Sequence, residues 1–196
     1  MVATLISFRS ALQTVSRAHI TLNIKKCKFA QSQVKFCGEI IGSGQRRIDS
    51  EKLEVIEKIQ APTNKTELRQ VLGLFSFFRE YILRYADLAQ PLTDLTKKGV
   101  PNKLPWSEVH QQALDKLKQL LIEAAKSSLN IIDFSKPFDV FVDASEKSVS
   151  GILTQQGTNG QYSPIAFFSQ KLNDTQRKWS TVEREAYAVV VALRKY

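Results

Sequence analysis

Apolar and polar positions alternate along the chain in two distinct rhythms. Over residues 1–19, Leu5, Phe8, Leu12 and Val15 recur at steps of three and four, which predicts an amphipathic helix. Ile20, Leu22 and Ile24 then alternate and predict a strand. Residues 33–41 give a second strand signal, closed by the turn Gly42-Ser43-Gly44. From Asp49 and Ser50 the helical rhythm returns to about Gln60, with Leu53, Ile56 and Ile59 on one face. Ala61-Pro62-Thr63 ends that helix. Asn64 opens the next, with Glu67 at capping-box spacing and Leu68, Val71, Leu72, Phe75 and Phe78 inward. A short helical stretch over 88–98 carries Pro91 early. Gly99, Pro101 and Pro105 make a loop, and Ser107 caps a long helix through Lys126 with Leu114, Leu117, Leu121 and Ala124 in register. The period then changes to two. Residues 138–142, 149–155 and 162–169 read as three strands at hairpin spacing, with Gly157-Thr158-Asn159-Gly160 between the last two. A final helix starts near Thr181, with Val182, Ala186, Val189 and Leu193 as its apolar face.

Composition narrows the class. The 196 residues are 43% hydrophobic and 24% charged, which excludes a disordered or low-complexity chain. The longest unbroken apolar run, 186–193, is far short of the roughly 20 residues of a membrane span, so no membrane partner is expected. No secretory pattern opens the chain. Cys27 and Cys37 stand alone, with His19 and His110 the only histidines, so no zinc spacing exists and a reduced intracellular protein is expected.

Net charge is +9 and uneven. Residues 1–50 hold 8 basic and 2 acidic side chains, two thirds of the excess. A basic end favours a polyanion such as nucleic acid, against the alternative of a solvated surface.

Two carboxylates stand out. Asp143 ends an apolar strand directly before Ala144-Ser145 and shares a face with Phe141 and Asp139. Glu185 lies in the first turns of the last helix, at the edge of its apolar face. Converging, they would suit a hard cation such as Mg2+, which takes oxygen ligands and keeps several waters. The alternatives are a turn former for Asp143 and an answer to the helix dipole for Glu185.

The order of motifs carries a resemblance. Leu22-Asn23-Ile24-Lys25-Lys26-Cys27-Lys28-Phe29 resembles the strand near the end of the palm in retroelement reverse transcriptases. Phe36-Cys37-Gly38-Glu39-Ile40-Ile41 resembles the hairpin that follows it, with Cys37 in place of Leu. Residues 62–69 and 72–82 resemble the thumb, where Phe77-Phe78 departs mildly from the family's paired tyrosines. Ala89-Gln90-Pro91-Leu92 and Leu104-Pro105-Trp106-Ser107 are similar to the next landmarks. Residues 138–145 resemble the opening strand of the tethered ribonuclease H, and 151–155, 164–169 and 183–190 continue it. The subgroup resembles Gypsy-type long-terminal-repeat elements.

The resemblance implies an α+β chain built of palm-end strands with a primer-grip-like hairpin (1–48), thumb helices (49–98), a connection (99–136) and the first part of a ribonuclease H-like domain (137–196), a three-stranded antiparallel meander followed by a helix. It implies a piece of a Pol polyprotein that copies RNA into DNA and cleaves RNA in RNA–DNA hybrids. By the same resemblance Asp143 and Glu185 are ribonuclease H catalytic and metal-binding carboxylates, in a site that takes two Mg2+ ions. The hairpin at Phe36 and Gly38 grips the primer, and Lys65, Arg69 and Arg79 contact duplex phosphates. The implied partners are a primer–template or hybrid duplex and the rest of the polyprotein, in a cytoplasmic particle.

Parts of the pattern are absent. No two aspartates are adjacent, so the polymerase Asp pair has no counterpart, and the strand bearing a third ribonuclease H carboxylate is expected after Tyr196. The chain is therefore expected to be inactive alone. The 138–142 strand is expected to show an unpaired edge, and 137–196 to be poorly stable by itself. The alternative function is a non-catalytic nucleic-acid-binding remnant of a retroelement.

Overall fold

The computed structural model of the protein describes residues 2–29, 31–157 and 159–196. It divides into two units, 1–34 and 35–196.

In the first unit, helix α1 (Val2–Arg17) forms as its periodicity predicts. The side chain of Leu5 lies outside the described residues. Phe8 packs edge-on against Phe29, ring centroids 4.9 Å apart. The strand expected at Ile20, Leu22 and Ile24 does not form. The Asn23 side chain instead accepts the Lys25 amide and caps a 3₁₀ turn over Ile24–Lys26, leaving Ile24 78% exposed. A local side chain-to-backbone bond here wins over an alternation that has no neighbouring strand to pair with.

A four-stranded antiparallel sheet runs β1-β2-β3-β4: β1 (Gln33–Phe36), β2 (Glu39–Gly42), β3 (Gln45–Ile48) and β4 (Leu129–Asn130). The single strand signal over 33–41 is thus a hairpin. The β1–β2 turn has positive φ at two successive residues, Cys37 and Gly38, and so has the β2–β3 turn, at Ser43 and Gly44. This is the turn geometry that matches strand twist. Helix α2 (Ser50–Glu57) starts on Asp49, whose carboxylate accepts the Glu51 amide. Helix α3 (Lys65–Phe77) starts on Asn64, which accepts from the amides of Thr66 and Glu67. Glu67 reaches one residue further back than a capping box requires, to the Thr63 amide at 2.7 Å.

The helical stretch expected over 88–98 is two short helices, α4 (Tyr85–Leu88) and α5 (Gln90–Asp94), with Pro91 in the first turn of the second. Helix α6 (Glu108–Ala125) buries Leu114, Leu117 and Leu121, as expected. One core gathers Ile56 of α2, Leu68 and Phe75 of α3, Phe78, Leu92 of α5, the three leucines of α6, and Ile48 and Leu129 of the sheet. The long helix therefore packs into the same core as the helices before it.

The second sheet is a three-stranded antiparallel meander of β5 (Asp139–Ala144), β6 (Ser148–Gln156) and β7 (Tyr162–Lys171), followed by α7 (Thr181–Lys195). The mixed α+β class is as expected. The 157–160 turn includes Thr158, which lies outside the described residues. One sheet face, with Val140, Val142, Ala144, Val149 and Phe168, packs on α7. Gly151 makes room for the Phe168 ring in that layer: a Cβ there would sit 2.5 Å from the ring.

The orientation of α7 corrects the expected apolar face. Its buried residues are Ala188, Val191 and Ala192, with Tyr187 beside them, whereas Val182 and Leu193 are 78% and 72% exposed. The helix is apolar on more than one side, so periodicity alone does not choose the face. The small side chains at 188 and 192 allow the closest approach to the sheet.

The meander docks on the first core through β7. The Arg46 guanidinium, on the inward face of β3, pairs with Glu80 at 2.9 Å and Glu39 at 3.5 Å and donates to the Ile165 carbonyl at 3.1 Å. It also lies 5.5 Å over the Tyr81 ring. Tyr81 donates to Glu39 at 2.8 Å, Lys195 pairs with Glu80 at 3.5 Å, and Lys171 pairs with Asp94 at 2.6 Å. Burial alone would raise the Glu80 carboxyl, but the Arg46 hydrogen bond and the Lys195 charge outweigh it and hold it below the usual carboxylate range. Asp94 is held low in the same way, burial opposing and Lys171 and Lys97 prevailing.

Carboxyls with lowered pKa values stabilise the folded chain above their ordinary value of about 4.3, and lose that contribution as pH falls through the lowered ones. Urea midpoints are expected to be flat near neutral pH and to drop below about pH 4.3, and Glu80→Gln should flatten this acid limb. An unchanged acid limb in that variant would remove Glu80 from the seam's pH dependence.

Candidate nucleic-acid interface and carboxylate site

The hairpin tip sits against the end of α3. Gly38 has φ +81°, its carbonyl accepts the Asp49 amide at 3.0 Å, and a Cβ on it would stand 3.6 Å from the Phe78 ring. Phe78 is buried, and the Phe77 ring meets it edge-on at 4.9 Å. Phe77, at the end of α3, remains 57% exposed beside the contact, and Phe36, 62% exposed before the turn, lines a separate cleft with Ile131, Ile165 and Tyr196.

Along α3, Arg69, Gly73 and Phe77 follow at four-residue steps and share an exposed face. Nothing lies within 4 Å of the position a Gly73 Cβ would take. The row is a cation, a gap and a ring, in a line that leads to the hairpin. Sequence reasoning placed Arg69 but missed Gly73 and Phe77. The signal was their i, i+4, i+8 spacing, masked by the apolar residues around them.

The other expected phosphate contacts stand differently. Lys65 donates from its ammonium to the Lys97 carbonyl at 2.7 Å, tying α3 to the residues after α5. Arg79 is exposed in a 3₁₀ turn over Arg79–Tyr81, away from the α3 row and beside β7 and α7. Neither Arg69 nor Arg79 forms an ion pair among the described residues.

Asp143 is exposed near the end of β5, opposite Ser150 of β6. Alternation puts it on the sheet face away from α7. Glu185 is half-buried in the second turn of α7. Arg184 donates to the Ser145 carbonyl at 3.2 Å, so the segment bearing Glu185 is fastened two residues past Asp143. The structure thus brings the two carboxylate-bearing segments to one end of the sheet. Among the described residues, no group of three or more His, Cys, Asp or Glu side chains takes a metal-holding arrangement. Glu183, the other glutamate of that turn, is spent on the helix start: it accepts from the Ser180 amide and hydroxyl, both at 2.8 Å, and these bonds hold its carboxyl low.

Residues 106–196 match the family model described as the RNase H-like domain found in reverse transcriptase. Over 95% of its length the chain is 32% identical to the retrovirus-related Pol polyprotein from transposon opus of Drosophila melanogaster, of which it covers 19%. Over 96% it is 32% identical to the transposon Tf2-3 polyprotein of Schizosaccharomyces pombe, covering 14% of that protein. Residues 106–196 thus belong to that RNase H-like family, and over nearly its whole length the chain is similar to retroelement Pol polyproteins. The Tf2 relatives are of Gypsy type.

Structural similarity extends across the boundary of the matched domain. A foamy viral protease-reverse transcriptase in complex with double-stranded DNA superposes on the whole chain with TM-score 0.79 and 27% identity, the chain covering 34% of it. A foamy viral protease-reverse transcriptase in complex with RNA/DNA hybrid matches 87% of the chain with TM-score 0.73 and 28% identity, and is itself covered over 23%. The hairpin and helices before residue 106 therefore share the Pol reverse transcriptase fold as well. The chain spans less than a fifth of the length of either transposon polyprotein.

The hairpin tip supplies a direct check. Gly38→Ala meets only ordinary contacts, so its cost is that of left-handed backbone for an L-residue, about 1–2 kcal/mol. Urea unfolding should show that loss, and Gly38→Asn a smaller one. A neutral alanine variant would mean the turn is not held in this geometry.

Proposed function

We propose that this segment of a retroelement Pol polyprotein holds a primer–template or RNA–DNA duplex along α3 and the β1–β2 hairpin, and supplies two carboxylates to a ribonuclease H site. The observation that carries the reading is the packing of the hairpin tip on the end of α3, which sets the hairpin at the head of the exposed Arg69–Gly73–Phe77 row. Gly73 leaves room for a backbone to come close. Arg69 offers charge to a phosphate, and the exposed Phe77 ring offers apolar area to sugars and base edges. That the foamy viral relatives are in complex with double-stranded DNA and RNA/DNA hybrid supports the partner.

The carboxylates suit Mg2+ in kind. Both are hard oxygen donors, and Mg2+ is commonly bound through one or two carboxylates with waters and substrate phosphates completing its shell. RNase H-like domains of this family generally use that ion. When bound, it supplies charge neutralisation at the scissile phosphate and lowers the pKa of an attacking water. Asp143 and Glu185 would hold it. Arg184 positions its neighbour Glu185 by anchoring the helix turn to Ser145, and the Ser180–Glu183 capping pair fixes the start of the same helix. A second reading, binding without cleavage, is favoured because the duplex-holding face is built without either carboxylate.

Binding is tested on this chain with a labelled RNA–DNA hybrid. Arg69→Gln should reduce the slope of log affinity against log salt by about 0.9, as one lost phosphate contact requires. Phe77→Ala should lower affinity with the slope unchanged. No binding by the wild-type chain at low salt would sink the reading. Cleavage is tested in a Pol polyprotein carrying the segment. There Asp143→Asn and Glu185→Gln should each abolish Mg2+-dependent cutting of the RNA strand while hybrid binding persists. Retained cutting would leave only the binding role.

A further inference from the structure

Away from the α3 row, a cleft of about 410 Å³ opens where the Arg79–Tyr81 turn meets β7 and α7. Arg79 enters it from the turn, Ser169 and Gln170 from β7, and Tyr187, Arg194 and Lys195 from α7. Three cations line it, and no carboxylate does. Lys195 is shared with Glu80, 3.5 Å away, but Arg79 and Arg194 form no ion pair among the described residues.

One neutral group is a donor too. Ser169 Oγ accepts the Ala86 amide at 2.8 Å on the sheet face away from α7, so the α7 side of the cleft is met by Gln170 and Tyr187. The Tyr187 hydroxyl accepts from Gln170 Nε2 at 3.0 Å, which leaves the phenolic proton to give. The cleft therefore offers guanidinium, ammonium and phenol donors beside the Gln170 amide. Such a set is complementary to an oxyanion with several oxygens, and planar guanidinium forks suit phosphate in particular.

We propose that this cleft is a phosphate site that takes one backbone phosphodiester of the bound duplex, at the seam between the helical core and the meander. Arg79 and Arg194 neutralise the phosphate, and Tyr187 donates to one of its non-bridging oxygens. The proposal rests on the duplex-holding function above, but its residues are different. Arg79 thereby acts with α7, not with Arg69. A duplex seated here would touch both halves of the chain and oppose their separation.

The test uses the intact chain and the labelled RNA–DNA hybrid. The Arg79→Gln, Arg194→Gln double variant is expected to bind more weakly and to lower the salt slope by roughly 0.9 per lost contact, and by no more than one contact if a single phosphate is shared. Tyr187→Phe keeps the ring and its packing on Trp179, and is expected to weaken binding about 3- to 10-fold through the lost donor. Wild-type affinity and slope in the double variant, with Arg69→Gln still weakened, would overturn the cleft and leave the duplex function standing. A wild-type chain that binds no hybrid would overturn the function itself. Inorganic phosphate separates the backbone from a free ion. Competition by phosphate that is lost in the double variant, together with a changed hybrid slope, supports the phosphodiester. Phosphate binding with an unchanged hybrid slope overturns it in favour of a small free anion.

Discussion

A guanidinium on the inner face of a sheet sets the conditions for everything around it. Arg46 alternates with Ile48 on β3 and faces the same way, toward the core, with only 21% of its side chain exposed. An arginine does not give up its proton, so the charge must be met where it lies. Glu80 and Glu39 meet it with charge, the Ile165 carbonyl with a lone pair and Tyr81 with its ring face. These four groups come from three places: β2, the 3₁₀ turn after α3, and β7. Satisfying one cation therefore fixes the hairpin, the helical core and the meander against each other. The Tyr81 hydroxyl is part of the same arrangement. Burial and the Glu39 carboxylate push its pKa well up, so it stays a donor.

The outer edge of β7 is managed by the same contacts. An edge strand offers unpaired carbonyls and amides that invite other strands. Here Arg46 takes the Ile165 carbonyl, and Ser169 turns its hydroxyl to the Ala86 amide. The side of β5 away from β6 has no strand against it among the described residues. The sheet is thus guarded by side chains on the edge that docks. This asymmetry puts the exposed aromatic Phe141 and the carboxylate of Asp143 on the outer strand.

How much of this could be read in the sequence depends on the range of each interaction. Helix starts at Asp49, Asn64 and Ser107 were legible because capping chemistry lies within three residues. The order of motifs made the hairpin, the helices and the meander legible as a family. Three things were not. The Asn23 turn replaced a strand because strand formation depends on a partner that alternation does not name. The face of α7 was misjudged because Val189, Val190 and Val191 are equally apolar and only the sheet chooses among them. Lys65 reads as a phosphate contact because its acceptor, the Lys97 carbonyl, is 32 residues away and leaves no local trace. The same holds for the site: Asp143 and Glu185 were marked by type and order, but the Arg184–Ser145 bond that fastens their segments together is visible only in the fold.

Charge shows the difference between composition and placement most clearly. Two thirds of the net positive charge lies in residues 1–50, which points there for a polyanion. Yet Lys35 is committed to Asp49 at 3.2 Å and to Glu51, and Arg46 is consumed at the seam. Among the described residues, Arg69, Arg79 and Arg194 form no ion pair and stand beside room or aromatic surface, in segments whose formal charge is close to balanced or only modestly positive. Local neutrality there arises because acids such as Glu67 and Glu183 cap helices and Glu80 and Asp94 hold the seam. Each of those carboxylates is engaged by backbone or by another cation. The arginines on the outer faces are left with their fields uncancelled at short range, and it is this residue of unpaired charge, not the total, that a phosphate backbone would meet.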